Sequence, residues 1–372
     1  MPGRGTGTQA AVRSWLRSGI TRGEIGPKLP PVRRLAQQFG CSITPVHRAL
    51  KQLQDEGWLE LHHGSGVAVR ARARPVVTVF IDGATPSVAS EPAHRTSNQA
   101  ARDWLLHHLA ANSTVQVRLQ GVGTTDTEFV RACQQVMLEQ PTVVVLALPH
   151  QRISSAMHAA FEQLRAAGVA IVYWPGVNEL PHADTVESDF QAGTHLLTAA
   201  LLGRGCTRPL RLVSPGNPLF EQQKQRGFAA VMGAEADSLT LVIPSHIREP
   251  LAEATWLRQV LGPSLERTAA DAILAVNDAQ VPFIYDCLKE LGITLPVAGY
   301  DCIWHEMLRL EPGRAASGPE PISIDRRLPE LGRALADLAV ARANGDLPTQ
   351  AQRVVIQPSL YLPSHLNAER TP

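Results

Sequence analysis

The chain has 372 residues, 44% of them hydrophobic, and its Lys and Arg residues outnumber its Asp and Glu residues by one. This length is sufficient for two or three folded units with cores of their own. The longest apolar run, residues 143–148, is far shorter than the roughly 20 residues that span a bilayer, so no membrane segment is predicted. The N-terminus lacks the apolar stretch of a signal peptide, and we expect a cytoplasmic protein.

Cysteine and histidine spacing argues against a metal site. The five cysteines are odd in number and include no Cys-x-x-Cys pair, so neither a disulfide framework nor a structural zinc site is expected. The histidine pairs at 62–63 and 107–108 are adjacent rather than one helical turn apart, and cannot bind a metal ion from one helix face. We therefore predict no metal and no cofactor.

The first part of the chain predicts a disordered segment at residues 1–9 and a domain at residues 10–70. A first helix is expected at residues 11–18. Apolar residues at 35, 36 and 39 indicate a second helix, which Gly40 ends. After a turn at residues 41–42, Ser42 is a plausible N-cap of a third helix, with Pro45 in its first turn. The buried face of this third helix is predicted to contain Val46, Ala49, Leu50 and Leu53.

Two short strands follow the third helix. Gly57 ends the helix, and residues 58–61 and 67–69 alternate as strands around a small, glycine-rich tip at residues 62–66. Three helices and a two-stranded wing are typical of a winged helix-turn-helix, which places one helix in the major groove of DNA.

The spacing closely resembles the GntR-type winged helix. The positions that match its pattern are Leu29, Pro30, Arg33, Ser42, Pro45, Val46, Glu56, Gly57, Gly64, Ser65 and Gly66. Pro31 replaces the usual serine, and Ile43 replaces an arginine that would touch a phosphate or a base. A winged module that contacts protein is the alternative. The resemblance implies that the DNA contacts are Arg33, Ser42, Thr44, Pro45, His47, Arg48, His63, Gly64, Ser65 and Gly66.

Charge is divided unevenly along the chain. Residues 1–74 hold 12 Lys and Arg against 4 Asp and Glu, a net charge of +8, whereas the rest has 23 against 30, a net charge of −7. A basic N-terminal part favours salt-dependent binding to phosphates, although a solvated basic surface would have the same composition. Residues 71–75, with alternating arginines and Pro75, are the predicted linker.

Residues 76–366 alternate β-branched runs with amphipathic helical stretches such as 127–140 and 154–167. Such alternation predicts an α/β fold with parallel sheets covered on both faces, and the length favours two doubly wound lobes. Residues 367–372 are expected to be a tail. Strands are predicted at 76–81, 115–119, 143–148, 169–173, 210–213, 241–243, 272–276 and 297–300.

Four motifs in this large domain come in a recognisable order: an Asp-x-x-x-Gly at 189–193, Arg-Gly-Phe at 226–228, Asn-Asp at 277–278 and Gly-Tyr-Asp at 299–301. The order resembles the effector domain of LacI-type repressors and the periplasmic binding proteins. Residues 82–87 lack the usual aromatic loop, and residues 357–359 lack the usual Arg-x-Ser. The resemblance implies effector contacts at Arg226, Asp278, Asp301, Asp189 and Phe220.

Several of these residues have a structural alternative. Arg226 is also consistent with a surface salt bridge, Asp278 with a cap on the following helix and Asp301 with the end of its strand. The aromatic side chains near strand ends are suited to stacking on a sugar ring or to the lobe cores. These side chains are Trp174, Phe220, Trp304 and His150.

Together these patterns predict a transcriptional regulator, most simply a repressor. Its expected partners are a pseudo-palindromic double-stranded DNA operator, a sugar-like effector and a second copy of the chain in a homodimer. The alternative is a ligand-binding sensor whose winged part contacts protein. An enzyme with pyridoxal phosphate would need a buried lysine, but the large domain has only Lys224 and Lys289, both in polar amphipathic stretches, so we expect no enzymatic activity.

Overall fold

A computed structural model of the chain describes residues 4–21, 25–62, 66–69, 74–82, 92–123, 125–147, 153–174, 180–214, 218–245, 247, 250–305 and 318–363. Contacts divide the chain into two units, residues 1–76 with 110–116, and residues 77–109 with 117–372. We refer to residues 4–69 as the head and to the second unit as the body. No helix in these ranges is both long and apolar enough to cross a membrane.

The head is a small helical unit with a two-stranded ribbon. Its helices are α1 (Arg4–Thr21), α2 (Val32–Gln38) and α3 (Ile43–Asp55). Its strands, β1 (Leu59–His62) and β2 (Gly66–Val69), pair antiparallel. Gly40 and Gly57 follow α2 and α3 with φ angles of 55° and 77°, a left-handed backbone that glycine adopts without strain. The apolar core joins all three helices to β1, through Val12, Leu16, Leu35, Val46, Leu50, Leu53 and Leu59.

The start of α1 corrects a sequence-based expectation. Residues 1–9 are rich in Gly and Thr and were expected to be disordered, but α1 begins at Arg4. Val12 and Leu16 are fully buried, and the Gln9 amide donates to the Gln52 side chain at 3.4 Å. Packing of this kind stabilises a helix whose intrinsic propensity is poor. The predicted linker at 71–75 is described only at residues 74 and 75, and the predicted tail lies outside the described ranges.

The first lobe of the body contains a six-stranded sheet in the order β13-β7-β6-β5-β3-β4. The pairs from β13 to β3 are parallel. Within the described ranges, four helices belong to this lobe: α4 (Pro92–Ala111), α5 (Asp126–Leu138), α6 (Ser155–Ala166) and α11 (Leu328–Ala343). The strands are β3 (Val76–Asp82), β4 (Gln116–Val122), β5 (Val143–Leu146), β6 (Ala170–Tyr173), β7 (Asp184–Ser188) and β13 (Arg353–Ile356).

The second lobe contains a four-stranded parallel sheet in the order β11-β10-β8-β9. Its strands are β8 (Pro209–Val213), β9 (Thr240–Val242), β10 (Ala272–Leu274) and β11 (Val297–Ala298). Its helices are α7 (Phe190–Leu202), α8 (Pro218–Met232), α9 (Pro250–Thr268) and α10 (Val281–Glu290). An antiparallel pair, β12 (Ser323–Asp325) and β14 (Ser359–Tyr361), lies beside β11 and α7.

The chain crosses between the lobes three times. It leaves the first sheet after β7 and enters α7, returns from β12 to α11, and leaves again from β13 to β14. The crossings are neighbours, because the Asp189 N–H donates to the Ile356 carbonyl at 3.1 Å. This architecture agrees with the predicted two-lobed α/β fold, and each of the eight predicted strands has a counterpart.

Candidate functional site

The outer face of α3 is the first candidate site. The inner face buries Val46, Ala49, Leu50 and Leu53 against the head's core. Because residues three and four apart share a helix face, the outer side is built from the remaining positions. Thr44, His47 and Arg48, three of the expected DNA contacts, are exposed there together with Lys51. No acidic residue lies in the first turn of α3.

The other expected contacts of the helical part lie close to this face in sequence. Arg33 is exposed on α2, as is its neighbour Arg34. Ser42 occupies the N-cap position of α3 and is exposed, but its side chain makes no capping hydrogen bond. Pro45 is partly buried in the first turn of the helix. An ion pair between Arg13 and Glu56, 2.9 Å long, ties α1 to the end of α3.

The wing is described only in part. Strand β1 pairs with β2 from Leu59 opposite Val69 to His62 opposite Gly66. Gly66, an expected DNA contact, therefore begins the second strand. The remaining expected wing contacts, His63, Gly64 and Ser65, lie outside the described residues.

The second candidate site lies where the body's crossings meet, around stacked aromatic rings. The Phe190 ring stacks on Phe220 at a centroid distance of 4.2 Å and on Tyr300 at 5.8 Å. Two cations contact the same rings: the Lys224 ammonium lies 4.5 Å from the Tyr300 centroid, and the Arg326 guanidinium 5.0 Å from that of Phe190. We refer to these five residues as the aromatic–cation cluster.

Buried charges surround this cluster. Lys224, with 12% of its side-chain surface exposed, donates to the Val276 carbonyl at 3.1 Å and lies 3.8 Å from Glu221. Glu221 also forms a short ion pair with buried Arg211. Burial lowers the pKa of Lys224, although the charges of Glu221 and Asp301 oppose that shift. Removal from water destabilises a charged ammonium group, so an additional hydrogen-bond acceptor next to Lys224 would stabilise its charged form.

Asp301 is held in an unusual conformation next to Arg326. Its φ angle is 91°, which is costly for a residue with a side chain. Its N–H donates to the Ile324 carbonyl at 3.0 Å, and its carboxylate accepts from Arg326 at 3.1 Å. These contacts keep the carboxylate beside the aromatic–cation cluster.

Several buried polar atoms near this cluster lack a hydrogen-bond partner within the described residues. They are the Tyr300 hydroxyl, the Ser188 hydroxyl and Nε of Arg326. A buried polar atom without a partner costs free energy, so each of these atoms would be stabilised by a donor or acceptor that the described residues do not supply. Ser188 immediately precedes Asp189, which caps α7 by accepting from the Ala192 N–H at 2.8 Å and also accepts from Gln357 at 3.3 Å.

The structure places Arg226 away from the aromatic–cation cluster. Arg226 is exposed on α8, whereas Lys224 contacts the aromatic–cation cluster. Two residues correspond to about 200° around a helix, so these side chains point to opposite sides. The glycine that follows Arg226 has a packing role, because a Cβ on Gly227 would lie 2.2 Å from the Gln191 carbonyl oxygen of α7. Lys224, expected from the sequence to lie in a polar amphipathic stretch, is instead largely buried, with 12% of its side-chain surface exposed.

Asp278 is neither a helix cap nor an open ligand contact. It is fully buried, and the N-cap of the short 3₁₀ turn Asp278–Gln280 is Asn277. Its carboxylate accepts from the Ser323 hydroxyl at 2.7 Å and from the Ile303 N–H at 2.8 Å. Burial raises the pKa of Asp278 to about 7, although the Ser323 hydrogen bond opposes this. Asp278 therefore links β12, through Ser323, to the segment that follows β11, through Ile303.

Of the aromatic side chains considered for stacking on a sugar, some lie in the cores of the lobes and one lies in the aromatic–cation cluster. Trp174 and Trp304 are buried, and Trp304 belongs to the second lobe's core beside α9 and α10. Phe220 packs on Phe190 within the aromatic–cation cluster. His150 lies outside the described residues.

Comparison with known proteins identifies both parts of the chain. Residues 7–69 match the family model described as bacterial regulatory proteins, gntR family. No curated protein matches the sequence. Solved structures match the fold of the larger part. A LacI-family regulatory protein from Chloroflexus aggregans is 18% identical, with a TM-score of 0.60, over 77% of this chain and 96% of that chain.

Two further matches were solved with ligands. A LacI-family regulator from Enterococcus faecium with bound ribose is 16% identical over 77% of this chain and 97% of its own, with a TM-score of 0.55. A Caulobacter myo-inositol binding protein bound to myo-inositol is 17% identical over 80% and 96%, also with a TM-score of 0.55. The chain thus joins a domain that matches the gntR family model at residues 7–69 to a body with the fold of LacI-family regulators and periplasmic binding proteins.

Proposed function

We propose that this protein is a transcriptional repressor that binds an operator through the head and releases it in response to an effector in the body. The observation that carries the proposal is the outer face of α3, where Thr44, His47 and Arg48 are exposed within a domain of the GntR family. Residues in the first turns of a recognition helix contact base edges in the major groove.

Charge supports binding to DNA over binding to an arbitrary protein. The net charge of +8 on residues 1–74 is suited to neutralising phosphates, and the rest of the chain carries −7. Phosphate contacts give affinity that does not depend on sequence, and the α3 side chains then select bases. We further propose a cytoplasmic homodimer, in which two heads bind the two halves of a pseudo-palindromic operator.

For the effector we propose a sugar or a related polyol in contact with Lys224, Asp301, Arg326 and Phe220. Cations and a carboxylate can hydrogen-bond to several hydroxyl groups, and an aromatic ring can pack on the apolar face of a sugar. The Tyr300 and Ser188 hydroxyls, which have no hydrogen-bond partner among the described residues, support a polar ligand. Structures of similar fold contain ribose and myo-inositol, which are ligands of this chemical class.

Fluorescence anisotropy with duplexes tiled across the region upstream of the protein's own gene tests DNA binding. We expect one duplex to bind at least roughly tenfold more tightly than the others at physiological salt, and competition with random duplex to leave that preference intact. Equal binding to all duplexes, with no preferred sequence at any salt concentration, would contradict a repressor and favour a head that contacts protein.

A thermal-shift screen of neutral sugars, sugar acids, sugar phosphates and cyclitols tests the effector. A ligand that binds only the folded state raises the melting temperature of the protein, because it adds RT ln(1 + [L]/Kd) to the free energy of unfolding. We expect at least one compound to stabilise the protein and to change its affinity for the preferred duplex. Stabilisation without any change in DNA affinity would separate ligand binding from regulation and refute the allosteric part of the proposal.

A further inference from the structure

One apolar side chain interrupts the polar outer face of α3. Ile43, the first residue of the helix, is 41% exposed and is absent from the apolar cluster that holds the head together. Among the described residues of the head it is the only large hydrophobic side chain exposed to this degree. The free energy of unfolding therefore gains little from Ile43, and its apolar surface is available to a partner.

The position of Ile43 on the helix identifies that partner. His47 lies one helical turn after Ile43, so the two side chains are neighbours on the outer face. Thr44 and Arg48 form the adjacent row. If α3 enters the major groove as the proposed function requires, Ile43 enters with the first turn and faces base edges rather than the phosphate backbone.

Few features of the major groove suit an aliphatic side chain. Isoleucine neither donates nor accepts a hydrogen bond, whereas the edges of guanine and adenine present mainly polar atoms and cytosine adds to its amino group only a C5–H. Thymine alone among the four standard bases adds an apolar group, the 5-methyl. A polar base edge against Ile43 would lose water without gaining a hydrogen bond.

We propose that Ile43 is a specificity-determining residue that recognises the 5-methyl group of a thymine in each operator half-site. The proposal rests on the proposed function and adds to it the chemistry of one base contact. Removal of the methyl group from the contacted thymine should lower affinity by about three- to fivefold for each half-site, which corresponds to the transfer of one methyl group out of water.

The test uses the full chain and an operator selected by that chain from random duplex DNA. In the selected duplex each thymine is replaced, one position at a time, by deoxyuridine, which lacks only the 5-methyl group. We expect one thymine in each half-site at which wild-type protein loses about three- to fivefold in affinity, and we expect Ile43→Ala to bind both duplexes within about twofold of each other. Sensitivity that persists in Ile43→Ala would overturn the proposal, as would a selected operator without any methyl-sensitive thymine.

Two further variants separate Ile43 from its neighbours on the helix. Thr44 also carries a methyl group, so Thr44→Ser serves as the matched control and should keep the sensitivity; loss of sensitivity in Thr44→Ser but not in Ile43→Ala would overturn the proposal. Ile43→Arg should shift the preferred base at that position from thymine towards guanine, which arginine recognises through two hydrogen bonds. If no sequence is enriched by the wild-type chain, the proposed function fails and the inference fails with it, which distinguishes that result from selection without methyl dependence.

Discussion

The candidate site of the head lies on its surface, whereas the candidate site of the body lies largely inside it. In the head, the functional side chains are those that the core leaves out: Thr44, His47 and Arg48 are exposed because the other face of α3 is buried. In the body, the candidate residues lie inside, where Lys224 and Arg326 contact stacked aromatic rings. An exposed site tolerates change at modest cost to stability, whereas in a buried site binding and stability depend on the same side chains.

This difference predicts the largest effect for a substitution in the buried site. Lys224→Met preserves length and removes the charge, so the affinity for the effector found in the thermal-shift screen should fall about a hundredfold, the scale expected for loss of charge-assisted hydrogen bonds. Arg226→Met, on the opposite side of α8, is the matched control and should bind within about threefold of wild type. Calorimetry on both variants measures this, and the reverse order of effects would restore Arg226 to the site.

A smaller effect is expected for the exposed site. Arg33→Ala and His47→Ala should each weaken binding to the preferred duplex by about tenfold or more, because a base or phosphate contact contributes roughly 1–3 kcal/mol. Their melting temperatures should match wild type, since both side chains are exposed. Arg258→Ala, an exposed arginine of the body paired with Glu290, provides the control and should leave DNA affinity unchanged. Wild-type affinity in both head variants would refute the proposed orientation of α3.

The pH dependence of the free energy of unfolding distinguishes a buried carboxyl group from exposed ones. The pKa of Asp278 is about 7 in the folded protein against an ordinary value of 3.8, so the folded state retains a proton that the unfolded chain releases. The contribution of this group to the free energy of unfolding therefore falls as pH rises from about 4 to 7. Asp278→Asn cannot ionise and should become more stable relative to wild type by about 4 kcal/mol over that window, because each pKa unit corresponds to about 1.4 kcal/mol.

Denaturant unfolding of both proteins at several pH values measures this difference. Parallel pH profiles would show that Asp278 has an ordinary pKa, despite its contacts with Ser323 and Ile303.

The smallest expected effect concerns two serines at helix starts. Ser154 accepts from the Met157 N–H at 3.2 Å and caps α6, whereas Ser42 makes no capping hydrogen bond with α3. Ser154→Ala should destabilise the body by about 1 kcal/mol, and Ser42→Ala should cost the head less than half of that. Equal losses, measured by denaturant unfolding, would indicate that Ser42 caps its helix in solution.

The sequence predicted the head well because local rules determine it. Gly40, Ser42 and Gly57 mark the ends of α2 and α3, and the apolar spacing of Val46, Ala49, Leu50 and Leu53 identifies the inner face. Predicted strands of the body such as β5 and β10 follow the same logic, since buried parallel strands form continuous apolar runs.

The strands near the crossings were harder to predict. Strand β7 begins with Asp184-Thr185, and β13 alternates exposed and partly buried residues at the edge of its sheet. Asp184 pairs with Arg342 of α11, a contact between residues 158 positions apart that no local pattern contains. Long-range pairing of this kind is visible only in the folded chain.

The site residues of the body show the same limit. Arg226 and Lys224 are two residues apart, and the Arg-Gly-Phe motif drew attention to the exposed one. Gly227 belongs to that motif for a packing reason, since α7 and α8 approach closely there. The carboxyl group of Asp278 likewise holds the backbone in place. A shared motif can thus report the packing around a site, while the contacts depend on which way each helix face turns.

The three neighbouring crossings also restrict how the body can move. Sliding of one lobe along the other would displace all three crossings at once, and these lie beside one another, where the Asp189 N–H donates to the Ile356 carbonyl and β12 pairs with β14. Rotation about an axis through the crossings leaves these bonds intact and therefore costs less. Asp189, the N-cap residue of α7, belongs to the first of these crossings. A small change in angle at the crossings becomes a displacement that grows with distance from them. The segments next to Lys224 and Arg326 therefore move least during such a rotation, and the far ends of the lobes move most.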